Sequence, residues 1–179
     1  MSLRSLDTRF TEEEQFLLTN TPFTIGQTMV FAGGSGLGTV KELFSSTKSF
    51  LEGAKTFPKN EIIVGILPNM ENGKEARAQA KAFQEKTKEN FKEKDIKSYE
   101  NMHQFVIDDS SAVAKLLKEK ATPQEAEEYK EWAMSIAENV AKAAKEGGFL
   151  GFGGERISAD EKKLYADIAN ALGTSVHLS

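Results

Sequence analysis

The stretch Met29–Lys41, MVFAGGSGLGTVK, decides the fold. An apolar tetrapeptide, a cluster of glycines and a helix-like run outline a phosphate-binding turn between strand and helix. They equally outline two helices parted by a glycine break. The dinucleotide pattern G-x-G-x-x-G can be laid on Gly34 and Gly36, but its last position then falls on Thr39. The G-x-x-x-G-x-G spacing fits Gly36 and Gly38 and puts Ala32 at its first glycine, and no Gly-Lys-Ser/Thr follows for a Walker loop. Were EIIVGIL (61–67) the next strand, Asn69 and Glu71 would be the ribose ligands, yet they lie too far beyond the last glycine. No later stretch reads as a strand, so no parallel sheet can be completed. Gly33–Gly38 is therefore read as punctuation between helices.

Helix signals spread outward from there. Residues 74–146 hold no glycine and one proline, Pro123, a composition suited to long helices. Three capping boxes place a hydroxyl three residues before a carboxylate: Thr11 with Glu14, Thr122 with Glu125 and Ser158 with Glu161. Pro123 stands at a first helical position, where no amide hydrogen is needed. Apolar residues recur at helical steps in five stripes: Leu37, Val40, Phe44, Phe50, Leu51 and Ala54; Ala76, Ala80, Phe83, Thr87 and Phe91; Tyr99, Met102, Val106, Val113, Leu116 and Leu117; Tyr129, Trp132, Ile136, Val140 and Ala144; and Leu164, Ile168 and Leu172, closed by Gly173. Pro22 to Ala32 reads as a separate short helix after Thr21. Periodicity alone leaves EIIVGILP (61–68) as either a buried strand or a buried helix.

With 179 residues and no cysteine, the chain can bury a core without metal or disulfide, and thiol catalysis and thiolate metal sites are excluded. A net charge of -4 offers no general attraction for nucleic acid or anionic membrane. No apolar run reaches the roughly 20 residues that span a bilayer, and the N-terminus lacks the apolar core of a signal peptide. The expected address is cytoplasmic.

Few groupings could carry chemistry. Glu100 and His103 have the Glu-x-x-His spacing of di-iron bundles, but those sites need it twice. The only other histidine, His177, has no matching glutamate, so His103 reads as satisfied or exposed. Asp108–Asp109 and Glu127–Glu128 are neighbours that face different directions on a helix and read as surface charge. The mixed-sign run 84–97 reads as a solvated face. No catalytic, cofactor-binding or metal-ligating set is assigned.

The most distinctive segment is EGGFLGFGGERISADEKKL, Glu146–Leu164, with five of the fourteen glycines between 147 and 154. If Ile157 took the eighth position of a calcium loop, Leu150, Phe152 and Gly154 would stand where oxygen ligands belong, which excludes calcium. Phe149, Leu150 and Phe152 either plug the core or stand exposed as a contact for a partner protein. This tail resembles the ending of a family of uncharacterised bacterial proteins, Glu-Gly-Gly-Phe-Leu-Gly-Phe-Gly-Gly followed by Ser-x-x-Glu and a last short helix. SGLGTVKELF (35–44) and NEIIVGILPN (60–69) are similar more faintly. More remotely, helix, glycine loop and Ser-x-x-Glu helix resemble the all-helical tellurite-resistance type of domain, without its acidic loop residues. The resemblance implies an all-helical fold, assigns no activity, and favours a helix for EIIVGIL.

The expectation is an all-α, single-domain, irregular or orthogonal bundle of about seven or eight helices over 11–173. A disordered or tag-derived segment (1–10) would precede it and a tail (174–179) follow. Central helices are expected at 37–56, 96–119 and 123–146, short ones at 11–19, 22–32 and 60–68, and a last one at 159–172. The leading functional expectation is a non-enzymatic protein acting through another protein or a second copy of itself, a stress response being one setting that fits. Nucleotide binding at Gly33–Gly38 and carriage of a small apolar ligand are the alternatives.

Overall fold

The computed structural model describes residues 4–33, 39–68, 73–146 and 157–175. Among them are eight helices and no strand: α1 (Arg4–Arg9), α2 (Glu12–Ala32), α3 (Thr39–Thr56), α4 (Glu61–Ile66), α5 (Gly73–Glu93), α6 (Tyr99–Lys120), α7 (Pro123–Glu146) and α8 (Ala159–Leu172). MVFA is the last turn of α2, and α3 follows the glycines. The strand that a phosphate-binding turn requires is a helix.

Helix α2 is the spine. It carries no apolar stripe but is buried on most sides, from Leu18 to Ala32, as a helix enclosed by others must be. It packs against α3, α6, α7 and α8. The expected division at Pro22 is corrected: one helix runs through it. Proline removes the amide hydrogen that would bond the Leu18 carbonyl one turn earlier. The Tyr129 hydroxyl donates to that carbonyl instead, at 2.6 Å. The Thr21 and Thr28 hydroxyls donate to the carbonyls of Leu17 and Thr24, at 2.9 and 2.7 Å, so these buried groups need no partner outside the helix.

All three capping boxes form. Thr11 and Glu14, Thr122 and Glu125, and Ser158 and Glu161 exchange side-chain and backbone hydrogen bonds reciprocally. Gly173 ends α8 in the left-handed region, φ 67°. The stripes of α6, α7 and α8 supply most of the remaining core, with Val106, Val113, Leu117, Tyr129, Trp132, Ile136, Val140, Leu164, Ile168 and Leu172 all buried. Glycine lets α3 meet α7 closely: a methyl group on Gly53 would overlap the Trp132 indole. EIIVGI is helix α4, capped by Asn60, with Ile62 and Ile63 buried and Val64 exposed.

The segment 1–10, expected to be disordered or tag-derived, is ordered over its described residues, 4–10. Leu6 and Phe10, four residues apart on one helical face, enter the core at 1% and 2% exposure. Leu6 lies against α4 at Gly65. A helix this short has no stability of its own in water; this burial and the Arg9 contacts described below hold it.

Specific contacts give the helix directions. α2 and α7 run parallel, with Leu18 at Tyr129 and Gly26 at Ile136. α3 runs opposite to α7: the Ser49 carbonyl accepts from Trp132, and Ser45 donates to the Asn139 carbonyl. α6 runs opposite to α2, with Lys120 on Glu14. The bundle therefore has two distinct ends. One gathers α1, α4, the start of α7 and the end of α6. The other gathers the ends of α2 and α7 and the starts of α3 and α6.

Candidate functional site

At the first end a polar clamp closes the bundle. The Arg9 guanidinium grips both Glu125 carboxylate oxygens at 2.9 Å and donates to the Lys120 carbonyl at 3.0 Å. Asn60, fully buried, donates to the Glu125 carbonyl and the Glu128 carboxylate, both at 3.0 Å, while its own oxygen caps α4. Lys120 pairs with Glu14 at 2.6 Å. The Phe10 ring lies here too, with the Arg9 guanidinium and the Lys120 ammonium both over its face. The hydrogen bond from Arg9 is the main reason the Glu125 carboxyl is pulled down to about 2. Such a bidentate, half-enclosed pair fixes geometry. Its groups are used by one another, which makes it a structural clamp.

A second polar cluster lies where α2, α5 and α6 meet. Asn20, fully buried in α2, accepts a hydrogen bond from Thr87 of α5 at 3.0 Å. Its amide nitrogen has no hydrogen-bond partner of ordinary geometry, although it approaches the Asp109 carboxylate closely enough to favour its ionised form. Burial outweighs that, and Asp109 is pushed up to about 6, with Lys94 opposing the rise and Asp108 adding to it. Tyr129, buried beneath, is raised well above its ordinary value by burial and by the Asp109 charge. The expectation of surface charge thus fails for Asp109, which is half-buried, while Asp108 is exposed.

At the other end, Phe31 is 59% exposed on the last turn of α2. Gly33 follows in a right-handed helical conformation, its amide donating to the Met29 carbonyl at 3.2 Å. That amide is thereby used as a helix end. The residues 34–38 lie outside the described residues, as do Phe149, Leu150 and Phe152. The helix that leads to those three, α7, ends with Glu146. Because α2 and α7 run parallel, Phe31 and Glu146 stand at the same end.

His103 lies within 3.0 Å of the Asp167 carboxylate of α8, and Lys163 reaches the same oxygen at 2.6 Å. Glu100 is exposed in the first turn of α6. Among the described residues no group of three histidine or carboxylate side chains could hold a metal ion. Sequence reasoning missed Asn20 and Phe31 and took Asp109 for surface charge. The signal for Asn20 was present, an amide two residues before a proline in the uncharged stretch 16–32. No protein-family model matches the chain, and searches of curated proteins and of solved structures give no significant match.

Proposed function

We propose that the chain is a non-enzymatic cytoplasmic protein that works by association, with another protein or with a second copy of itself. The contact lies at the bundle end bearing Phe31. The observation that supports this is the 59% exposure of Phe31 on a helix whose other large apolar residues are all buried or half-buried. An exposed aromatic side chain leaves a large apolar area in water, and contact with another surface removes it. Phe149, Leu150 and Phe152 belong to the segment that leaves α7 at this end and are assigned to the same contact. Light scattering coupled to size exclusion tests the second-copy form. Mass should rise with concentration for the natural chain and fall back for Phe31→Ser. Changing Phe149, Leu150 and Phe152 together to serine should have the same effect while far-ultraviolet dichroism stays helical. A mass near 19.7 kDa at every concentration removes the second-copy form. Unfolding of the triple variant makes those three residues core instead of contact.

A further inference from the structure

Helix α5 is held differently from the other long helices. Its buried residues are Ala76 and Thr87, and its packing runs through long side chains. Phe83 meets Phe16 and Phe23 with ring centres 6.1 and 5.2 Å apart, Phe91 meets Phe105 at 5.5 Å, and Lys86 lies over Phe16 at 4.6 Å. Among the described residues its one buried polar tie is Thr87 to Asn20. Next to that tie stands Asp109, half enclosed and approached by the Asn20 amide, which has no hydrogen-bond partner of ordinary geometry. An ionised carboxylate in such a place loses hydration that no full hydrogen bond replaces, and lifting α5 restores it. Few enclosed apolar contacts also mark a segment that opens locally before the whole molecule does.

From this geometry we propose that α5 is a proton-controlled flap: a proton on Asp109 favours its closure over Phe16, Phe23 and Phe105, and loss of that proton favours its opening. The groups acting on Asp109 are Lys94 in the turn after α5, Asp108 on its own helix and Tyr129 of α7, with neutral Asn20 from α2. Lys94 moderates the effect, since its charge favours the ionised form, and Asp108 reinforces it. The sign follows from proton affinity. With α5 closed Asp109 titrates at about 6; with α5 lifted and the carboxyl in water it returns to the ordinary range near 3.8. The closed form therefore holds the proton more tightly, and acid favours closure. Opening grows as pH rises between these two values and levels off above about 6, where both forms are ionised.

Hydrogen exchange of the intact chain, read by mass spectrometry and corrected for intrinsic rates, tests this. Peptides of α5 should exchange through an opening that depends weakly on urea, well below the protection of α7. That opening should be roughly ten-fold rarer at pH 5 than at pH 7.5. In Asp109→Asn it should be rare at both pH values and the ratio should approach one. Thr87→Val keeps the volume, removes the hydroxyl, and should raise α5 opening roughly five-fold at either pH. Exchange of α5 that matches α7 in rate and urea dependence overturns the flap. A pH ratio that survives in Asp109→Asn overturns the role of Asp109, and no response to Thr87→Val overturns the tie.

Discussion

At the scale of the residue, each capping glutamate forms the box that its spacing announces, and two of them do more. Glu14 also holds Lys120, and Glu125 also holds Arg9. The boxes were legible because they are local, set by residues three apart. Their second partners, more than a hundred residues away, were not. The Arg9 pair carries a pH signature. Glu125 is held at about 2 when folded, below the range it has in an unfolded chain. The folded state thus binds its proton more weakly. The stability it contributes is present above about pH 4.5 and is lost as pH falls toward 2. Arg9→Ala should destabilise the protein by roughly 1–3 kcal/mol at pH 7 through loss of a charged, partly buried hydrogen-bonded pair. Urea unfolding followed by Trp132 fluorescence should show that difference shrinking by pH 3. A difference that stays constant from pH 7 to pH 3 contradicts the assignment.

Among the elements, α7 spans the residues its pattern predicts, Pro123–Glu146, and α8 likewise runs from Ala159 to Leu172. Their stripes and stops are written in neighbouring residues. The N-terminal half was less legible. A proline inside a helical pattern ordinarily ends or kinks the helix, so Pro22 reads as a boundary. What carries α2 past it is a hydroxyl from Tyr129, 111 positions along the chain from Leu18, and no local pattern reveals that. The substitution Tyr129→Phe should destabilise by about 1–3 kcal/mol, since it strands a buried carbonyl that Pro22 cannot satisfy. Replacing Pro22 with alanine supplies an amide for that carbonyl. In the Pro22→Ala background the loss from Tyr129→Phe should therefore shrink to a small fraction. A double-mutant cycle by chemical unfolding measures the coupling. Equal losses in both backgrounds would show that the phenol does not stand in for the missing amide. Helix α1 was overlooked for a related reason: its six residues are too few to signal a helix alone, and only the spacing of Leu6 and Phe10 hinted at a buried face.

Over the whole molecule, the class was legible and the distribution of polarity was not. Glycine clusters at 33–38 and 147–154 and a glycine-free run from 74 to 146 imply helices joined by breaks, and the fold is all-α. Nothing in composition says that one end would be sealed by Arg9, Asn60, Lys120 and Glu125 while the other leaves Phe31 in water. That difference is the basis of the proposed association: Phe31 is the most exposed large apolar side chain among the described residues, ahead of Val64 of α4 at the clamped end. A photo-crosslinking amino acid at position 31 distinguishes the ends directly, with exposed Lys59, beside Asn60 at the clamped end, as the control. On illumination in the native host, position 31 should give a discrete adduct, either with a second copy or with one partner, that position 59 does not give. No adduct from position 31, or the same adducts from both positions, would contradict the account.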